Sequence, residues 1–448
     1  MLQWFNEQLW GVPLLTLLLT TGIYLTFKTY FFQFTHFFNM LRETLGSLLR
    51  RDKAETGVSP FAAMSTALSG TMGTGNIAGV GTAIALGGAG ALFWMWISAF
   101  LCMLIKFAEV ALAVQYREQD ENGEYRGGPM YVIRHALPRL RPFAILFCIC
   151  TICASFGIGN AAQAQAMARG LQTAVHIPPL LTGLVAAVLC AAVIFGSARR
   201  ITACTAKLVP FMTLFYFAGA VILLFINRQQ LWPAICEIFS QAFSFPAISG
   251  GAAGFTISRC IRYGVSRGVF TNEAGMGSAP IVHASAENTP KKQGYWGMLE
   301  VFLDTIVMCT LTGLTILSSG VHNGCNTDPL NYTLAAFSAG FGPVGAVFIA
   351  VSIALFAFGA MIGWSFYGAS CCRFLFRRKT AVLLYRLLFC GCILLGAAGP
   401  AAAIFELSDI LNGLMAIPNL LTLLLLGKQV QAICRDHTPP SPHFSGSK

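Results

Sequence analysis

The chain has 448 residues, 56% of them hydrophobic and only 10% charged, with a mean hydropathy of +0.67. Water-soluble domains carry about 25% charge, so the composition excludes a soluble enzyme or binding module and describes an all-α polytopic membrane protein. The net charge of +11 does not point to nucleic acid, because the basic residues stand in short clusters between apolar runs, the pattern that sets membrane orientation.

A membrane-crossing helix needs about 20 apolar residues, which predicts about eleven transmembrane helices. Glu7 precedes the first apolar run and no basic stretch or small-residue cleavage site is evident, so the first residues do not read as a signal peptide. The first span runs from about Pro13 to Phe32. The linker after it carries Arg42, Arg50, Arg51 and Lys53 and is expected in the cytoplasm, with the N-terminus outside.

The second span, about Phe61 to Leu86, is interrupted by Ser69-Gly-Thr-Met-Gly-Thr-Gly-Asn76. A spanning helix tolerates freed backbone groups only where they face protein, water or a ligand. Carbonyls ending the first half suit a cation, and N–H groups opening the second half suit a carboxylate. A small-residue packing face is the alternative reading of the same glycines. The third span covers about Ala91 to Val114, with Lys106 and Glu109 three apart on one face and expected to pair structurally. An Arg-rich connection through Arg117, Arg126, Arg134, Arg139 and Arg141 leads to the fourth span, about Phe143 to Ala168. Its Cys148, Cys150 and Cys153 read as packing thiols, with no disulfide expected. Gln163 follows Asn160 by about one turn there, and its amide suits either helix packing or a zwitterionic ligand.

The fifth and sixth spans are about Leu180 to Ile194 and Val209 to Ile226. Trp232 to Thr289 mixes apolar residues with Gly, Pro and Arg, and alternation of the basic clusters requires one irregular crossing within it. Its break falls either at Phe245 to Gly254 or at Thr271 to Ser278. The second is preferred, because Met276 to Ala286 can form a half-helix and Pro290 breaks the chain before the next span. Arg259, Arg262 and Arg267 then lie deep, a cost reduced if Arg267 pairs with Glu273. The remaining spans run from about Tyr295 to Leu317, Phe341 to Tyr367, Ala381 to Leu395 and Ile410 to Leu426, before a cytoplasmic tail. Glu300 and Asp304 occupy consecutive turns of the eighth, and an intramembrane carboxylate is a functional suspect. Asp304 reads either as a proton site or as the partner of an amide.

Two interrupted helices five spans apart mark an inverted-repeat transporter with its site at the midplane. The expected organisation is an N-terminal helix and linker over residues 1–57, repeats over 58–228 and 229–427, and a tail over 428–448. No His-Glu-x-x-His or Walker pattern occurs, so neither catalysis nor a cofactor is expected.

Six motifs carry a resemblance: Gly73-Thr-Gly-Asn-Ile-Ala-Gly-Val80, Phe93-Trp-Met-Trp96, Lys106-Phe-Ala-Glu109, Phe156-Gly-Ile-Gly-Asn160, Arg267-Gly-Val-Phe-Thr-Asn-Glu-Ala-Gly-Met-Gly-Ser-Ala-Pro280 and Val301-Phe-Leu-Asp-Thr305. By these the chain resembles the alanine or glycine:cation symporter family, bacterial sodium:alanine carriers, over most of its length. The resemblance implies a LeuT-type fold and import of a small neutral amino acid with Na+ through the bacterial inner membrane. It implies that the carbonyls of Ser69 and Met72 face the cation. Thr71, Gly73, Thr74, Gly75, Asn76, Gln163 and Thr271 are then the candidate substrate residues, with Trp364 closing a small side-chain pocket. The chain departs from the family pattern at Phe356-Ala-Phe-Gly-Ala-Met-Ile-Gly-Trp364, where Gly359 and Ala360 replace a Ser-Thr pair expected to ligate sodium. Ala369 likewise replaces a usual Glu. Loss of two hydroxyl oxygens weakens a hard-cation site, which keeps proton-coupled and uncoupled carriers beside sodium symport, with a channel as a further alternative.

Overall fold

The computed structural model describes residues 8–49, 57–121, 123–243, 252–323, 331–399 and 402–436, together with Trp4. In chain order its main helices are α1 (Val12–Lys28), α2 (Phe37–Leu49), α3 (Pro60–Thr71), α4 (Val80–Gly87), α5 (Gly90–Gln115), α6 (Pro129–Ala136), α7 (Arg141–Phe156), α8 (Ala162–Val175), α9 (Pro179–Ile194) and α10 (Ala198–Ile226). They continue as α11 (Arg228–Phe243), α12 (Ala252–Asn272), α13 (Ala279–His283), α14 (Pro290–Val301), α15 (Thr310–Ser318), α16 (Tyr332–Phe341), α17 (Pro343–Phe376), α18 (Lys379–Ala398), α19 (Ala402–Leu425) and α20 (Gly427–Cys434). Among the described residues seven stretches are long and apolar enough to cross a membrane, and shorter apolar helices stand at Pro13–Lys28, Gly75–Gly87 and Pro179–Ile194. With α12 these account for every expected span.

The hub is α5, whose apolar stretch is 83% buried. It packs against α12 and α14, while α17 crosses α3, α7 and α8. Exposed Leu184, Val188, Leu387 and Leu388 give α9 and α18 an apolar outer face suited to lipid. A short antiparallel hairpin pairs Glu118–Gln119 with Tyr125–Arg126 beyond the end of α5.

Both expected breaks are present. Helix α3 begins with Pro60 behind Ser59, whose hydroxyl accepts the Ala62 N–H at 3.2 Å. It stops at Met72, where the backbone turns to φ −72° and ψ 76°. Helix α12 ends at Asn272, and the chain then takes left-handed φ at Glu273 (51°), Gly275 (88°) and Gly277 (79°) before α13. Glycine accepts that region without steric cost, whereas Glu273 is held there by its contacts. The alternative break at 245–254 falls largely on residues 244–251, outside those described.

Three expectations are corrected. The irregular region after the sixth span contains a separate helix, α11, ahead of the crossing helix α12. Glu273 does not pair with Arg267: its carboxylate takes the Trp364 indole N–H at 3.1 Å and the Ser278 hydroxyl at 2.5 Å, while Arg267 lies over the Phe270 ring. Nor do Lys106 and Glu109 pair. Lys106 Nζ lies 3.3 Å from Glu300 Oε1, and Glu109 accepts from Asn419. Helical spacing put the first two on one face, but in an enclosed hub helix each meets a different neighbour.

Candidate substrate and cation site

Three π turns line the centre of the protein, at Gly75–Gly79, Gly157–Ala161 and Phe302–Cys309. A π turn carries one extra residue and often marks a functional site, because it releases main-chain groups and redirects side chains. The first opens the second half of the broken helix. Ahead of it, the Gly73 N–H donates to Thr71 O at 2.8 Å, and the Thr74 N–H meets Gln163 Oε1 at 3.4 Å. An amide oxygen thus stands at the N–H end of the break. A methyl group on Gly73 would lie 3.3 Å from the Gln163 amide, and one on Gly75 would lie 3.3 Å from Thr271 Cγ2. Gly73, Thr74, Gly75, Gln163 and Thr271 are therefore brought together.

Asn76 joins this group to the eighth span. Its Nδ2 donates to Asp304 Oδ1 at 2.8 Å and to Asp304 O at 3.2 Å. Asp304 Oδ2 accepts from Thr305 Oγ1 at 3.0 Å, and Thr305 Oγ1 accepts from Asn272 Nδ2 at 3.1 Å. Asn76, Asp304, Thr305 and Asn272 are all fully buried, yet Asn76 Oδ1 has no hydrogen-bond partner among the described residues. Such an atom costs free energy unless something donates or coordinates to it. Asp304 and Asn76 stand close to the Thr271 hydroxyl through Cys309, whose Sγ lies 3.6 Å from Asn76 Nδ2 and 3.8 Å from Thr271 Oγ1.

The other candidates are placed differently. Thr71 is buried, but its hydroxyl donates back to Leu68 O at 3.2 Å within α3. Trp364, 1% exposed, lies against Gly159, where an added methyl would sit 2.3 Å from the indole Cγ. Only glycine fits that contact, which lies one turn before Gln163. Gln165 donates to Gly399 O at 2.9 Å and Asn160 to Phe389 O at 2.7 Å, so these amides tie α8 and its π turn to α18.

At the opposite end of the break, Gly359 does face Ser69: a methyl group on it would lie 3.6 Å from Ser69 Cβ and 3.3 Å from Met212 Sδ. A thioether thus borders the space where a hydroxyl was expected. The Ser69 hydroxyl donates to Thr66 O at 2.7 Å, and the Met72 sulfur accepts from Thr213 Oγ1 at 3.5 Å. Sulfur is a poor ligand for a hard cation. Met212, Gly159, Thr305 and the Glu273–Trp364 contact were not singled out from sequence. The Gly-x-Gly of Phe156 to Asn160 hints at a close approach, but nothing in the sequence around Met212 signals its position.

Comparison with known proteins agrees with this architecture. A Methanococcus maripaludis protein named sodium/alanine symporter AgcS is 41% identical over 428 residues, covering 94% of this chain and 93% of that protein. A probable sodium/glutamine symporter, GlnT of Bacillus subtilis, is 36% identical and covers 97% of this chain and 89% of its own. Among solved structures, MhsT in complex with L-phenylalanine aligns at a TM-score of 0.54 and 14% identity, over 86% of this chain and 97% of that one. A manganese transporter from Eremococcus coleocola gives a TM-score of 0.54 at 14% identity, over 87% and 82%. At such identities the likeness is one of fold alone, that of LeuT-type transporters. The profile of the sodium:alanine symporter family matches residues 1–441, and with the two broken helices and the Gly73 to Val80 motif in place, the chain belongs to that family.

Proposed function

We propose that the protein imports a small neutral amino acid, alanine or glycine, together with a cation, by alternating access across the bacterial inner membrane, with its N-terminus outside and its C-terminus in the cytoplasm. The observation that supports this best is the buried, unpartnered Asn76 Oδ1 beside the Asp304 carboxylate at the N–H end of the broken helix. The substrate carboxylate rests on the amides from Gly73 to Asn76, where the Gln163 carbonyl now meets the Thr74 N–H. Trp364, fixed by Gly159 and Glu273, limits the side chain at one turn's distance.

In this reading the cation belongs at Asn76 Oδ1, the Asp304 carboxylate and the Thr271 hydroxyl, which are hard oxygen ligands. The Ser69 and Met72 carbonyls play a smaller part, because Gly359 and Ala360 offer no side-chain oxygen and Met212 borders the gap. The same loss favours a second reading in which Asp304 carries a proton instead of sodium. The test is uptake of labelled alanine and glycine into proteoliposomes under an imposed sodium or proton gradient. Saturable uptake accelerated by one gradient is expected. Uptake indifferent to both would remove the coupling, entry of neither amino acid would remove the substrate class, and flux without saturation or counterflow would indicate a channel.

Gly359→Ser combined with Ala360→Thr returns two hydroxyls to the Ser69 end. Apparent sodium affinity in the uptake assay is expected to rise about tenfold, equivalent to about 1.4 kcal/mol, as the flexible Met212 side chain yields. An unchanged sodium dependence would mean that the hydroxyls are not what this end lacks.

A further inference from the structure

The five-residue helix α13 ends in a chain of polar contacts whose direction is set by the main chain. The Thr289 N–H can only donate, and it lies 2.9 Å from Asn288 Oδ1. That orients the Asn288 amide, whose Nδ2 donates to Gln293 Oε1 at 2.9 Å. Gln293 therefore presents its Nε2–H to His283 Nδ1, at 2.7 Å. Nδ1 must carry a lone pair there, which leaves the single ring N–H on Nε2, 3.1 Å from Glu300 Oε2. The other Glu300 oxygen receives Lys106 at 3.3 Å. Turning over either amide would set donor against donor or acceptor against acceptor. An exposed backbone N–H thus dictates a neutral imidazole three hydrogen bonds away, in a network where His283, Gln293, Glu300 and Lys106 are all fully buried.

We propose that His283 Nδ1 is a proton-binding site addressed from the face that carries Arg117, Lys291 and Lys292, and that filling it releases the segment from α13 to Thr289. The inference rests on the transport reading only for its placement of that face in the cytoplasm. A second ring N–H would point at the Gln293 N–H. Relief requires Gln293 and Asn288 both to turn, which takes the acceptor from Thr289, or α13 to move. On the other side of the segment, Arg117 holds the carbonyls of Ala284 at 3.3 Å, Ala286 at 2.5 Å and Asn288 at 3.2 Å.

Charged groups reach the ring from several of the elements packed around it. Helix α13 packs on α3, α5, α14 and α17. Helix α3 brings no charged side chain, α5 brings Lys106 and Glu109, and α14 brings Glu300, with Lys291 and Lys292 in its first turn. Glu273 stands before α13, Asp304 follows α14, and Arg117 and Glu287 lie at the exposed end. From α17, Tyr367 interacts electrostatically with Glu273 and Glu300. Among the described residues Lys106 is the buried ammonium that interacts with Glu300, Glu109 and Glu273. Hydrogen-bond polarity keeps a second proton off the ring for as long as Asn288 and Gln293 hold these orientations.

The test is hydrogen exchange, read by mass spectrometry, of peptides spanning residues 279–289 in the full-length protein in nanodiscs. Wild type and His283→Gln are compared at equal pH, so that the intrinsic exchange rate cancels. The two are expected to diverge as pH is lowered, the wild type exchanging faster by up to about tenfold for each pH unit. The protection belongs to the neutral ring and is lost as pH falls. Gln293→Glu gives Nδ1 an acceptor while still accepting from Asn288, so its segment is expected to stay protected on the acid side.

A wild-type to His283→Gln ratio that does not change with pH, or a Gln293→Glu profile identical to wild type, would overturn the proposal. If His283→Gln fails to fold, the difference between wild type and Gln293→Glu on the acid side decides the matter by itself. Because exchange is read without substrate, a pH step in a protein that carries no amino acid would sink the transport reading alone, and uptake without a step would sink only this one.

Discussion

Asp304→Asn is expected to abolish gradient-driven accumulation of alanine in proteoliposomes while leaving exchange of alanine across the membrane measurable. The substitution keeps an oxygen for the Asn76 Nδ2 bond, 2.8 Å in the wild type, so the fold around the break is preserved. What it removes is the buried negative charge beside the orphaned Asn76 Oδ1. Interactions with a charged partner contribute about 1.5–3 kcal/mol, a loss of about 10- to 100-fold in cation affinity. Measured as initial uptake at sub-saturating sodium, a variant within twofold of wild type would show that Asp304 neither binds the cation nor carries the proton. A variant in which counterflow is lost as well would place Asp304 in the substrate site rather than in coupling.

The largest effect on stability is expected at Lys106→Met. The Lys106–Glu300 pair is fully buried, and removing the ammonium leaves Glu300, among the described residues, with His283 as its partner. Breaking one side of a buried ion pair costs about 3–5 kcal/mol, whereas replacing both sides with neutral groups is often close to harmless. Lys106→Met should therefore lower the thermal unfolding midpoint in detergent sharply, and Lys106→Met with Glu300→Gln should recover most of the loss. If the double variant is no more stable than the single one, the ammonium is holding something other than Glu300, with Glu109 as the nearest candidate. The comparison also separates stability from transport, since a rescued but inactive double variant would assign the pair a role in the cycle.

Much of the fold was legible because hydropathy is a property of the chain alone. Every expected span has its helix, and the interruptions at Gly73 to Asn76 and Thr271 to Ser278 announced themselves by crowding glycine and small polar residues into apolar runs. Pairings between helices were less legible. Lys106 and Glu109 share a helical face, and that spacing suggested a local pair, but where the hub helix is buried around Lys106 the ion-pair partner comes from α14. Arg267 and Glu273 are close in sequence on either side of a helix end, and Glu273 instead reaches across to an indole N–H. Of the substrate candidates, those on the break and Gln163 are brought together, whereas Thr71 is engaged within its own helix. The place of Met212 beside Gly359 depends on how α10 crosses α17, which no local pattern encodes.

The three π turns bear on how such a site can be read by mutagenesis. Each frees main-chain carbonyls and N–H groups, at Gly75–Gly79, Gly157–Ala161 and Phe302–Cys309, and a peptide group survives truncation of its side chain. An alanine scan therefore under-reports these positions. Deleting one residue from a π turn returns it to α-helical register and rotates everything after it by about 100°. Deletion scanning is therefore the genetic probe matched to the main-chain groups of these turns.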